Sequence, residues 1–306
     1  RNGGRRAPIS AEGGGKGAEG AIAGDGGEVE DLRLLLRDVR VERGDDFKRR
    51  HVLRAVLESM SRGIDVGPLL PEMTLAVETR DPIAKKMAYL FLCRYAESDP
   101  ELARMCINTL RKDCESSDPA VRGSALRSLC SLRLPRMVEY VGEPLRRALE
   151  DDHPNVRRTA VMSALKLYRA DHDAFASCRF VDVLYGAIRD PDPLVSANCV
   201  RALGEVAPGG GRMAVNRAIV THLLDRIDRF DQFDVPLALE LLVRYDPDGE
   251  EEYASIVRRL DPFLRSLHSA VFLATLRALF SLAGRFGWET DGGGDGKGEG
   301  GGEGSG

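Results

Sequence analysis

One opening recurs along the chain at nearly even intervals, and it limits the possible folds more than any other feature. Asp118-Pro119-Ala120-Val121-Arg122 is followed by Ala125, and His153-Pro154-Asn155-Val156-Arg157 is followed by Ala160. An Asp can cap a helix, and Pro suits the first helical position. After each opening the apolar residues fall at helical spacing: Val121, Ala125, Leu129 and Leu132, then Val156, Ala160, Ala164 and Leu167. The same opening recurs at Asp81-Pro82-Ile83 and Asp192-Pro193-Leu194-Val195. A weaker copy stands at His268-Ser269-Ala270-Val271, and a degenerate one runs from Asp231 to Asp234, followed by Val235-Pro236. The starts at 81, 118, 153, 192, 231 and 268 are 37, 35, 39, 39 and 37 residues apart. A period of that length predicts a stacked helical array.

Partner helices are expected between these openings. They carry Leu102, Met105, Cys106 and Leu110; Val138, Val141, Leu145 and Leu149; Leu184 and Ile188; Ile219, Leu223 and Ile227; and Ile256, Leu260 and Leu264. Each repeat is then a helix pair, and no pair can bury its apolar face alone, so neighbours must stack. Three further helices are expected ahead of the repeats: one with Leu32, Leu35, Leu36 and Val39, one over Phe47 to Met60, and one over Leu69 to Val77. The predicted class is an all-α superhelical solenoid over residues 28–290, with the repeats running to about Phe286. Tails 1–27 and 291–306 hold 20 of the 33 glycines, carry no periodicity and are expected to be disordered. Pro208-Gly209-Gly210-Gly211 marks a surface loop. If the chain continues, the face near Phe280 and Trp288 would pack on a further repeat. The chain opens on Arg rather than Met and is expected to be part of a longer polypeptide.

Composition removes several functions. A net charge of −4 argues against broad nucleic-acid binding, which rests on phosphate neutralisation. No apolar run approaches a membrane span. Cys93, Cys106, Cys114, Cys130, Cys178 and Cys199 form no Cys-x-x-Cys pair and read as free thiols in a reducing compartment. Lys16 and Lys297 lie in glycine runs, but each is followed by Gly rather than Ser or Thr, so neither makes a phosphate loop. His51, His153, His172, His222 and His268 have no metal-type spacing, and His153 and His268 hold helix-start positions. No enzyme, metal or cofactor is expected.

Charged residues offer two readings. Asp118, Arg122 and Arg157 are expected to bond turns and neighbouring repeats. Lys48, Arg49, Arg50 and Arg54, with Arg33, Arg37 and Arg40 on the preceding helix, form a basic cluster. Such a cluster attracts anionic lipid at about 1 kcal/mol per charge near the surface, or is simply a solvated face.

The repeats match the HEAT pattern, in which an Asp and a Val-Arg pair open the second helix. Residues 46–285 further resemble the β-type large subunits of heterotetrameric vesicle-coat adaptors. Four stretches carry this: Lys48-Arg49-Arg50 through Gly63-Ile64-Asp65-Val66, Lys85 to Leu92, Asn108 to Cys114, and Glu139-Tyr140 with Glu143 to Arg146. Val121 to Leu134, Thr221 to Phe233 and Leu239 to Pro247 look most like the β chains of the fourth adaptor type. The resemblance implies a non-enzymatic scaffold in a complex with a second large, a medium and a small chain. It would work in cargo sorting as a cytoplasmic coat, peripheral on trans-Golgi or endosomal membrane. It also implies recruitment by an Arf-type GTPase through apolar side chains, at positions matched by Leu90 and Ile107, with Arg104 standing where the family has an apolar residue. The basic cluster at Lys48 to Arg54 matches residues that face phosphoinositide-bearing membrane in the family. The family's hinge and ear have no counterpart here. A HEAT scaffold outside vesicle coats, of phosphatase or transport-receptor type, is the alternative, and a membrane-surface binder acting alone is a further one.

Overall fold

The structure is a computed structural model and describes residues 17–41, 46–134, 136–206 and 213–285. The chain divides into two compact units, one ending at Leu184 and the other beginning at Tyr185. All regular structure among the described residues is helical.

The first unit begins with α1 (Gly17–Val41), α2 (Asp46–Ser61) and α3 (Leu70–Ala76). The helix over Gly17–Val41 starts well ahead of Glu28, where the sequence places the onset of order, so the expected tail is helical from Gly17 onward. The repeats follow as α4 (Pro82–Tyr95), α5 (Pro100–Met105), α6 (Ile107–Asp113), α7 (Pro119–Leu129), α8 (Val138–Leu149) and α9 (Pro154–Ala170). The unit closes with α10 (His172–Ser177) and α11 (Phe180–Ala187), which runs across the division. The helices that begin at the recurring opening stack on one another, α4 on α7 and α7 on α9, and α2, ahead of the first opening, stacks on α4. A second row, including α1, α3 and α5, packs against them. The second unit repeats the plan. Its α12 (Pro193–Val206), α14 (Asp234–Leu242) and α16 (Ser269–Arg285) stack, flanked by α13 (Arg217–Leu224) and α15 (Glu250–Leu260).

Each opening performs the capping its sequence implies. The Asp81 carboxylate accepts from Ala84 N at 2.9 Å, Asp118 from Ala120 N at 2.8 Å and Asp192 from Val195 N at 3.0 Å. His153 does the same through Nδ1, accepting from Asn155 N at 3.2 Å. At the degenerate copy Asp231 accepts from both Phe233 N and Asp234 N, and the helix starts two residues later than in the other repeats. At the last opening the bond from Phe272 N to His268 O is a backbone one.

The core consists of the predicted stripes: Val121, Ala125 and Leu129 are buried, as are Val156, Ala160, Ala164 and Leu167. Two expectations fail. The partner helix through Leu102 and Leu110 is broken at Cys106 into α5 and α6. The break changes the phase of the apolar face and leaves Met105 73 % exposed. Leu35 is also exposed, because α1 buries Leu32, Leu36 and Val39, an i, i+4, i+7 set that leaves Leu35 on its flank. Pro208 to Gly211, Trp288, residues 1–16 and the tail 291–306 lie outside the described residues.

All six cysteines are free thiols. Burial pushes the Cys106 thiol up to about 11 and the Cys130 and Cys199 thiols up to about 12, which keeps them protonated and unreactive at neutral pH. No helix among the described residues is long and apolar enough to cross a membrane.

Candidate interaction surfaces

The repeated arginines turn inward. Arg122 forks onto Asp151 of the next repeat with two bonds of 2.8 Å, and its Nη1 also donates to the carbonyls of Ser116 and Ser117. Arg157 donates to the carbonyls of Asp151 and Asp152. One guanidinium thus fastens its own turn and the turn one repeat on, and the Asp–Arg pattern is structural as its spacing predicts. Burial pushes the Asp151 carboxyl up, but the Arg122 fork and the His153 N–H outweigh it, and the group ends below the ordinary carboxylate range.

The basic cluster ahead of the repeats meets the same fate in part. Arg50 forks onto the buried Asp81 at 2.7 and 2.6 Å, and this fork holds the Asp81 carboxyl low. Arg49 donates to Asp46 at 3.2 Å and to Thr79 Oγ1 at 3.0 Å. Arg33 bonds the Pro68 carbonyl at 3.0 Å and lies 3.6 Å from Glu72, while Arg37 reaches Glu72 at 2.9 Å. Lys48 and Arg54 remain exposed on α2. The side chain of Arg40 lies outside the described residues. Two of the four predicted lipid ligands are therefore engaged in holding α2 to the start of α4.

The region matched to GTPase contact divides as well. Leu90 projects from α4 at 55 % exposure, with Ile83 exposed two turns before it on the same face. Arg104 is exposed on α5 and pairs with Glu101 within its own helix. Ile107 is 2 % exposed and belongs to the core, so it cannot touch a partner, because the break at Cys106 turns it inward. Beneath Leu90 lies a buried polar cluster in which Lys85 and the Tyr89 hydroxyl both bond Asp113. Burial and the Asp113 bond raise the Tyr89 hydroxyl far above its ordinary range. Sequence reasoning missed Phe47 and Met105, which are also exposed. Phe47 stands alone at its helix end and gives no periodic signal, while Met105 falls in the stripe of an unbroken helix and is exposed only because the helix breaks at Cys106.

Stacked helix pairs, most of them opened by a capped turn and several cross-tied by an arginine, define a helical-repeat protein of the HEAT and armadillo class. The sequence carries the identification further. Residues 30–288 match the family profile described as Adaptin N terminal region, and the chain belongs to the adaptin family. It is 37 % identical over 258 residues to AP-4 complex subunit beta-1 of Mus musculus, covering 84 % of this chain and 35 % of that protein. It is 34 % identical over 245 residues to AP-4 complex subunit beta of Dictyostelium discoideum, covering 80 % of this chain and 29 % of that one. AP-1 complex subunit beta-1 of Homo sapiens is 33 % identical over 256 residues, 83 % of this chain and 26 % of that protein. The chain therefore spans about a third of the length of these curated relatives. Its fold is shared with a chain in the homology model of the full-length AP-3 complex in an intermediate open conformation. That match has a TM-score of 0.55 and 21 % identity, over 83 % of this chain and 46 % of that one. The likeness to β-type adaptins, and to the fourth type in particular, agrees with these relatives. Adaptins are structural subunits of coat adaptors, not enzymes.

Proposed function

We propose that this chain is the N-terminal trunk of a β-type scaffold subunit in a vesicle-coat adaptor complex that sorts cargo at trans-Golgi or endosomal membranes. The observation that carries this reading is the adaptin match across residues 30–288, which takes in both units. The exposed ridges of a stacked repeat offer long surfaces to partner chains, here a second large, a medium and a small adaptor subunit. Leu90, with Ile83 beside it, supports an Arf-type GTPase contact centred on α4. Arg104 stands on the neighbouring short helix and would tune that contact by charge. Arg54, exposed on α2, would add weak membrane attraction, with Arg49 and Arg50 held back by their ion pairs. Several weak contacts acting together would then recruit the complex.

Co-expression with the second large, medium and small chains tests the reading, followed by addition of GTP-locked Arf. Stable capture of the adaptor chains, with Arf capture reduced by Leu90→Ser, is the expected result. No capture by this chain or by a longer product of the same gene would return it to the HEAT scaffolds outside vesicle coats.

A further inference from the structure

The stacked row α4, α7 and α9 carries a pattern that the ion-pair ties do not use and of which the coat reading uses Leu90 alone. Leu90, Arg127 and Met162 each stand nine residues past their opening, and Arg94, Ser131 and Lys166 each stand thirteen past. Equivalent positions on stacked helices lie side by side, and the 2.7 Å bond from Lys166 Nζ to Ser131 Oγ confirms that register. Arg94, Arg127 and Lys166 are exposed, and Leu90 is exposed among them. No described carboxylate pairs with Arg94 or Arg127. On a chain of net charge −4 this strip is strongly positive.

We propose that this strip docks an extended acidic segment of a partner protein, with carboxylates about three residues apart and aliphatic side chains between them. Packed helices lie about 8–10 Å apart, and an extended chain advances about 3.3 Å per residue. An acid at every third residue therefore meets one helix after another, facing Arg94, Arg127 and Lys166 in turn. Leu90 and the half-buried Met162 would receive the aliphatic groups. The strip fits a narrow segment better than a membrane plane. The same helices open at Asp81, Asp118 and His153; Asp81 is buried, but Asp118 and the adjoining Asp152 are not, so a wide anionic surface would meet those two carboxylates, whereas a segment crossing the later turns meets Arg94, Arg127 and Lys166. The proposal goes beyond the coat reading and does not depend on it.

The experiment uses the full chain and two fluorescein-labelled peptides of one composition. One repeats Glu-Ser-Leu, and the other gathers the glutamates into a single block. The spaced peptide is expected to bind about tenfold more tightly, to weaken with salt, and to lose about tenfold on Arg127→Glu with Lys166→Glu. The milder Arg127→Gln with Lys166→Gln, checked for helicity by circular dichroism, should lose a smaller part of the same binding. Equal binding of the two peptides, or no response to either double variant, would overturn the proposal. So would capture of phosphatidylserine vesicles through these residues with the peptides ignored, which would assign the strip to a membrane.

Discussion

In the first unit Asp151 sits under a two-armed fork from Arg122 and also accepts from His153 N at 2.9 Å, while in the second unit Asp234 holds a single 2.8 Å bond from Arg201. Both carboxylates stand near the start of a repeat helix and both are largely buried. Their titrations diverge. Asp151 is held below the ordinary range, whereas burial and the neighbouring Asp231 push Asp234 above it, with Arg201 only partly offsetting them. Having an arginine partner does not settle the sign; the number of donors set against the desolvation does.

The largest effect expected from this contrast is at the fork. Arg122→Ala strands a mostly buried carboxylate and frees two carbonyls, so denaturant titration should show a loss of about 3 kcal/mol. Asp234→Asn removes a charge that its surroundings already disfavour. It should leave stability within about 1 kcal/mol of the parent, on the stabilising side; a loss as large as that of Arg122→Ala would erase the distinction. Replacing the His153 cap by Asp should add about 0.5–1 kcal/mol, since Asp is the better N-terminal acceptor, and thermal unfolding reads it. The smallest effect is in pH. Asp81 and Asp151 contribute stability that is present above the unfolded carboxylate value of about 3.9 and is lost as pH falls through their lower folded values. Asp234 runs the other way: its contribution is fully present below that unfolded value and is lost as pH rises through its raised folded value. Hydrogen exchange followed as pH is lowered should show the turn before α9 weakening at the acid end, while the turn before α14 gains protection as pH falls toward the unfolded carboxylate value.

The helices that start each repeat were legible because three local signals coincide there: a capping side chain, a proline at the first position and a 3.6-residue apolar stripe. The role of Arg122 was legible for the same reason, since Arg157 holds the same place one repeat on and bonds the carbonyls of its own turn as Arg122 does. The candidate surface was only half legible. Lys48 to Arg54 look like one basic face in sequence, yet Arg50 finds Asp81 31 residues on, and nothing local marks that acid as its partner. Leu90 and Ile107 look equivalent by their match to a family pattern. The break at Cys106 separates them, leaving one in solvent and the other in the core. Helix phase after a break is set by tertiary packing, which single-chain periodicity does not contain.

The ties made by Arg50 and Arg122 each join one repeat to its immediate successor and reach no further. Fastenings of this kind act like links in series, so a load drawn along the first unit is felt equally by every link. Strengthening one turn then does nothing for the force at which the row first parts, which belongs to whichever link is weakest.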